Sequence, residues 1–90
     1  GAQLVMFDTE LGDIGFSLYG VMNYMCENTE ISGVLQPTDE SGSILIANFP
    51  SGCEIRLVLF EMGVVVQESN CSAHRDKGCD SWAGSYLFQY

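Results

Sequence analysis

Residues 53–60 read CEIRLVLF, and the fold class turns on that stretch. Ile55, Leu57 and Leu59 fall on one face, and Glu54, Arg56, Val58 and Phe60 on the other. Apolar residues at a period of two mark a β-strand with one buried side. Pro50-Ser51-Gly52 ahead of it is turn chemistry. Behind it Gly63 marks a second turn, from which Val64-Val65-Val66 begins a returning strand.

The same grammar extends outward. Gln3 to Phe7 is short and apolar, and it ends in the acidic turn Asp8-Thr9-Glu10. Ile31 to Gln36 is a further apolar piece, and Pro37 to Gly42 is a polar loop. Ser43 to Phe49 and Ser85 to Tyr90 read as strands, and Asn70 to Gly78 is a polar loop holding most of the basic charge. Residues 14–25 admit two readings. Ile14, Leu18, Val21, Met22 and Met25 fit a helical stripe, whereas Ile14, Phe16 and Leu18 fit a strand. Gly15 and Gly20 would each cost a helix about 1 kcal/mol relative to Ala, and Phe16, Tyr19 and Tyr24 suit a sheet. The strand reading, broken near Gly20, gives a mainly β protein. The helix reading gives an α+β sandwich with one helix within 13–26.

At 90 residues the chain is one domain, 1–90, with a hydrophobic fraction of 47%. A domain of this size buries roughly 60–65% of its surface, so cross-links help it. Twelve acidic residues stand against three basic ones, for a net charge of −9. Such a surface repels phosphate backbones and anionic lipid, which argues against nucleic acid as a partner. No run of about 18 apolar residues is present, so nothing reads as membrane-spanning. The chain opens on Gly1-Ala2 and enters a strand-like segment at once, which we read as a mature chain whose leader has been removed.

Cys26, Cys53, Cys71 and Cys79 are separated by 27, 18 and 8 residues. A structural zinc site usually has a pair spaced by two to four residues, and none exists here. An even count in a short chain instead suggests two disulfides and an oxidising, extracellular compartment. Three pairings are open. No metal and no other cofactor is expected.

A repeat organises the rest. Leu4-Val5-Met6-Phe7-Asp8 reappears as Leu57-Val58-Leu59-Phe60-Glu61, and the same shift carries Cys26 onto Cys79. Gly42-Ser43-Ile44-Leu45-Ile46 matches Gly84-Ser85-Tyr86-Leu87-Phe88 at a shift shorter by 11, as an 11-residue excess between Cys26 and Gly42 would produce. The reading is a duplication, motif one at 3–49 and motif two at 53–90. Its physical meaning is two Greek-key motifs forming a small disulfide-stapled β-sandwich.

FPSGCEIRLVLFE (49–61), Asn70-Cys71 and GCDSWAGSYLF (78–88), with LVMFDTELGD (4–13) and Tyr19-Gly20 ahead of Cys26-Glu27-Asn28, carry a resemblance. The pattern is similar to the βγ-crystallin-like fold, and most of all to the crystallin-like small secreted cysteine-rich proteins of fungi. The family's aromatic-x-Gly after the first turn is missing, with Leu11-Gly12 near its place. A second architecture of the same size is the other small β-sandwich of fungal effectors. The resemblance implies a secreted, monomeric effector or toxin-like virulence protein that binds a protein or cell-surface target of a host or competitor. It also implies an alternative, a calcium-binding crystallin-type structural module. The loops for that role are Thr38-Asp39-Glu40-Ser41-Gly42-Ser43 and Asp80-Ser81-Trp82-Ala83-Gly84-Ser85, each with Gly where a ligand hydroxyl is expected.

No catalytic set is legible. His74 is the only histidine, and a disulfide would silence nearby Cys71 as a nucleophile. The cationic loop at 72–78, with His74, Arg75 and Lys77, is the candidate partner-binding site, together with Trp82. Trp82 has a second reading as a core wedge between the sheets. Met22, Tyr24, Met25 and Tyr90 likewise belong either to the core or to a partner-binding patch.

Overall fold

The computed structural model describes residues 3–19, 30–38, 41–75, 79 and 81–88. They form seven strands: β1 (Gln3–Asp8), β2 (Ile14–Tyr19), β3 (Glu30–Pro37), β4 (Ile44–Asn48), β5 (Glu54–Phe60), β6 (Gly63–Ser69) and β7 (Gly84–Leu87). A single 3₁₀ turn, Ser72–His74, is the one helical element among the described residues. The ambiguous segment therefore resolves as a strand over 14–19, and 20–25 lie outside the described residues.

The strands make one antiparallel sheet in chain order, β1 to β7. Each described pairing joins chain neighbours, so the Greek-key return expected from the duplication is not among them. The connections explain the order. Glu61 and Met62 alone join β5 to β6, too short a link to carry a strand past its neighbour. Between β4 and β5, Phe49 N–H donates to the Cys53 carbonyl at 2.9 Å and Gly52 N–H to the Phe49 carbonyl at 3.0 Å. Gly52 takes a φ of 93° there, which a side chain would strain. The β1–β2 turn repeats the pattern, with Thr9 N–H on the Asp13 carbonyl and Gly12 N–H on the Thr9 carbonyl.

β3 divides the sheet into two wings. Glu30–Leu35 pair with β2, and only Gln36 and Pro37 pair with β4. The alternation seen in the sequence turns one face of every strand inward. Phe16 and Leu18 of β2, Ile31 and Leu35 of β3, Leu45 and Ala47 of β4, Ile55 and Leu57 of β5, and Val64 and Val66 of β6 join in one core. Phe49 closes the wings on each other, because its ring lies over Gly33 of β3, where an added Cβ would sit 3.2 Å from it. The result is a mainly β fold rolled toward a barrel about a single apolar centre.

Candidate functional site

The sequence points to the polar loop after β6, and its Arg75 is turned into an internal pair. Cys53, at the foot of β5, is disulfide-bonded to Cys71, just past β6. That bond fixes the loop against the β4–β5 turn. Cys79 is disulfide-bonded too, and no cysteine is free among the described residues; Cys26 lies outside them.

On one side of the staple His74 Nε2 lies 2.6 Å from Ser51 Oγ, and its ring stands 5.3 Å from that of Phe49. His74 N–H donates to the Cys71 carbonyl at 2.9 Å. On the other side Arg75 Nη1 donates to Glu68 Oε1 at 2.7 Å. The second oxygen of Glu68 accepts from Trp82 N–H at 2.9 Å. The Arg75 guanidinium also stands 4.9 Å from the centroid of the Trp82 ring, a cation–π distance. Tyr86 O–H of β7 completes the chain by donating to the Trp82 carbonyl at 2.6 Å. Burial raises the Tyr86 pKa above its ordinary value of 10.0, and the Glu68 carboxylate raises it further.

Four side chains were singled out as partner-binding. Trp82 is fully buried, as the core reading has it. The side chains of Arg75 and Glu68 are only 13% and 10% exposed, so this cation is committed to an internal pair. His74 is half-buried against Ser51 and Phe49. Lys77 lies outside the described residues, as do Met22, Tyr24, Met25 and Tyr90.

Two members of this cluster escaped the sequence reading. Glu68 occupies the same side of β6 as Val64 and Val66, which its even spacing from them signals. Ser51 meets His74 across 23 positions, and nothing in the local sequence signals that contact. Serine beside histidine is the start of a nucleophile–base pair. Such a pair needs a group to orient the imidazole, and the described contacts of the His74 side chain are Ser51 and Phe49.

The two candidate calcium loops bond internally. Thr38 Oγ1 donates to the Ile44 carbonyl at 3.1 Å, and Ser41 and Ser43 share a hydroxyl contact of 2.8 Å. Ser81 Oγ accepts from Ala83 N–H at 3.1 Å. Asp39, Glu40 and Asp80 lie outside the described residues, and no cluster of metal-binding side chains occurs among the described ones. No described helix is long and apolar enough to cross a membrane. A shallow polar depression lined by Glu54, Arg56, Gln67, Glu68 and Ser69 lies on β5 and β6.

The chain matches no protein-family model, no curated protein and no solved structure.

Proposed function

We propose that this chain is a secreted, non-enzymatic protein of the effector or toxin type, which acts as a monomer by binding a protein or cell-surface target. The observation that carries the reading is the use of the polar loop. Its Arg75 is held with Glu68, Trp82 and Tyr86 in one chain of contacts, and the loop's start is tied down by the Cys53–Cys71 bond. Groups spent on holding a scaffold are not poised for turnover, and a small disulfide-bonded domain belongs in an oxidising compartment.

The two-motif, crystallin-like organisation belongs to the same proposal. Its support is order along the chain: β1 answers to β5, and β4 to β7, under the two sequence shifts. The 11-residue excess of the first copy falls where β3 lies.

The test uses the oxidised protein carrying a fluorescent label, applied to intact cells of candidate hosts or competitors. Saturable binding that unlabelled protein displaces is the expected result. Hydrolysis of ester, peptide or glycoside substrates, lost on Ser51→Ala or His74→Ala, would overturn the non-enzymatic reading. Free thiols in protein isolated from its source would overturn the extracellular one.

A further inference from the structure

Exposed apolar side chains gather in two places, Phe60, Met62, Leu87 and Phe88 on the β5–β7 wing and a second group on the outward face of β1–β3, and the second lies in the stretch of chain that has no cation. The inner side of the β1–β3 wing carries Leu4, Met6, Phe16, Leu18, Ile31 and Leu35, all packed on the core. The outer side carries exposed apolar side chains among polar ones. Val5 and Phe7 of β1, Tyr19 of β2 and Val34 of β3 are 40%, 47%, 40% and 45% exposed. Register gathers them. Phe7 stands opposite Gly15, which stands opposite Val34. The Phe7 ring lies so closely over Gly15 that an added Cβ would overlap it. Val5, Ser17 and Ser32 form the next row, and Gln3, Tyr19 and Glu30 the one after. The row next to the β1–β2 turn thus has no side chain on its middle strand, and the Phe7 ring fills that space.

The charge around this face has one sign. Asp8, Glu10 and Asp13 lie at the β1–β2 turn, and Glu30 at the opposite end. Residues 1–55 contain eight Asp and Glu and no Lys, Arg or His. The remaining 35 residues hold every cation and four acids. A face with exposed apolar side chains and acidic groups at both ends of its own strands selects against a second copy of itself, against anionic lipid and against nucleic acid, since each brings more negative charge. It complements a surface that is apolar at its centre and basic at its rim.

We infer that the outer face of β1–β3 binds a cationic, amphipathic segment of another protein, with apolar side chains on Phe7 and Val34 and Lys or Arg on the acidic ends. This deepens the proposed function and rests on the reading of the chain as a binding protein.

The test titrates the oxidised protein with an octapeptide of alternating Lys and Val, followed by amide chemical shifts and calorimetry. An octapeptide of alternating Lys and Gly is the control of equal charge. The Lys–Val peptide should shift amides of β1–β3 and bind at least about tenfold more tightly than the control, about 1.4 kcal/mol. Val34→Lys should lower its affinity by a similar factor, as should the pair Asp8→Asn and Glu10→Gln, with the melting temperature measured for each. Equal binding of both peptides, shifts confined to β5–β7, or unchanged affinity in both variants would overturn the inference. An excess of the Lys–Val peptide should also displace labelled protein from cells. Cell binding that persists under that excess overturns the face as the docking site and leaves the binding-protein reading standing. Loss of all cell binding with the peptide still bound does the reverse.

Discussion

The two wings solve the stability of a small domain in different ways. The β4–β7 wing is stapled. It holds the Cys53–Cys71 bond, the Arg75–Glu68 pair and the Trp82–Tyr86 hydrogen bond within one corner. The β1–β3 wing has no ion pair among its described residues and relies on its inward face, with apolar side chains exposed on its outer face. The contrast teaches that the polar loop, the most conspicuous feature of the sequence, is a clasp. The wing without cations has no such clasp, and it is the one on which we place the partner.

Breaking the clasp should cost far more than altering the open face. Cys53→Ser with Cys71→Ser should lose about 3 kcal/mol, as for other native disulfides closing short loops. Denaturant unfolding would measure it as a lower midpoint, and a midpoint within error of the parent would show the staple to be idle. Glu68→Gln leaves Arg75 half of a largely buried pair, which generally costs about 3 kcal/mol. Removing both partners, Glu68→Gln with Arg75→Met, should recover much of that loss, and the cycle separates the pair from its packing.

Tyr86→Phe removes one hydrogen bond and should cost about 1 kcal/mol. It also tests the pH response. The folded-state pKa of Tyr86 is raised, so the unfolded chain gives up that proton first. The contribution is present in full below about pH 10 and is lost as pH rises through the folded-state value. Alkaline melting curves of Tyr86→Phe should therefore fall less steeply than those of the parent. Smallest of all, Val34→Lys on the open wing should change stability by no more than about 0.5 kcal/mol. A loss as large as that of Glu68→Gln would erase the distinction between the wings.

Much of the fold was legible because a half-buried strand announces itself locally. CEIRLVLF carries the period of two, SILIANF and LVMF are short apolar runs beside turn residues, and β5, β4 and β1 lie on them. Residues 14–19 were ambiguous because Ile14 and Leu18 satisfy both periods; pairing with β1 and β3 decides for the strand. Strand order was not legible, since alternation fixes which face is buried and not which neighbour a strand selects. The site was less legible than the fold. The 72–78 loop was found from its charge, but Glu68, the partner that neutralises Arg75, was hidden in a strand read for its valines. Ser51 and His74 meet only because Cys53 and Cys71 bring their loops together.

Consecutive pairing of the strands also bears on how quickly the chain finds this structure. The β1–β2, β4–β5 and β5–β6 hairpins close over short links, so little chain entropy is lost before their contacts form. Folding rate falls as contacts become more distant in sequence. A sheet paired in chain order should therefore fold faster than one of equal length whose neighbouring strands are distant in sequence, with these hairpins as ready starting points for the transition state.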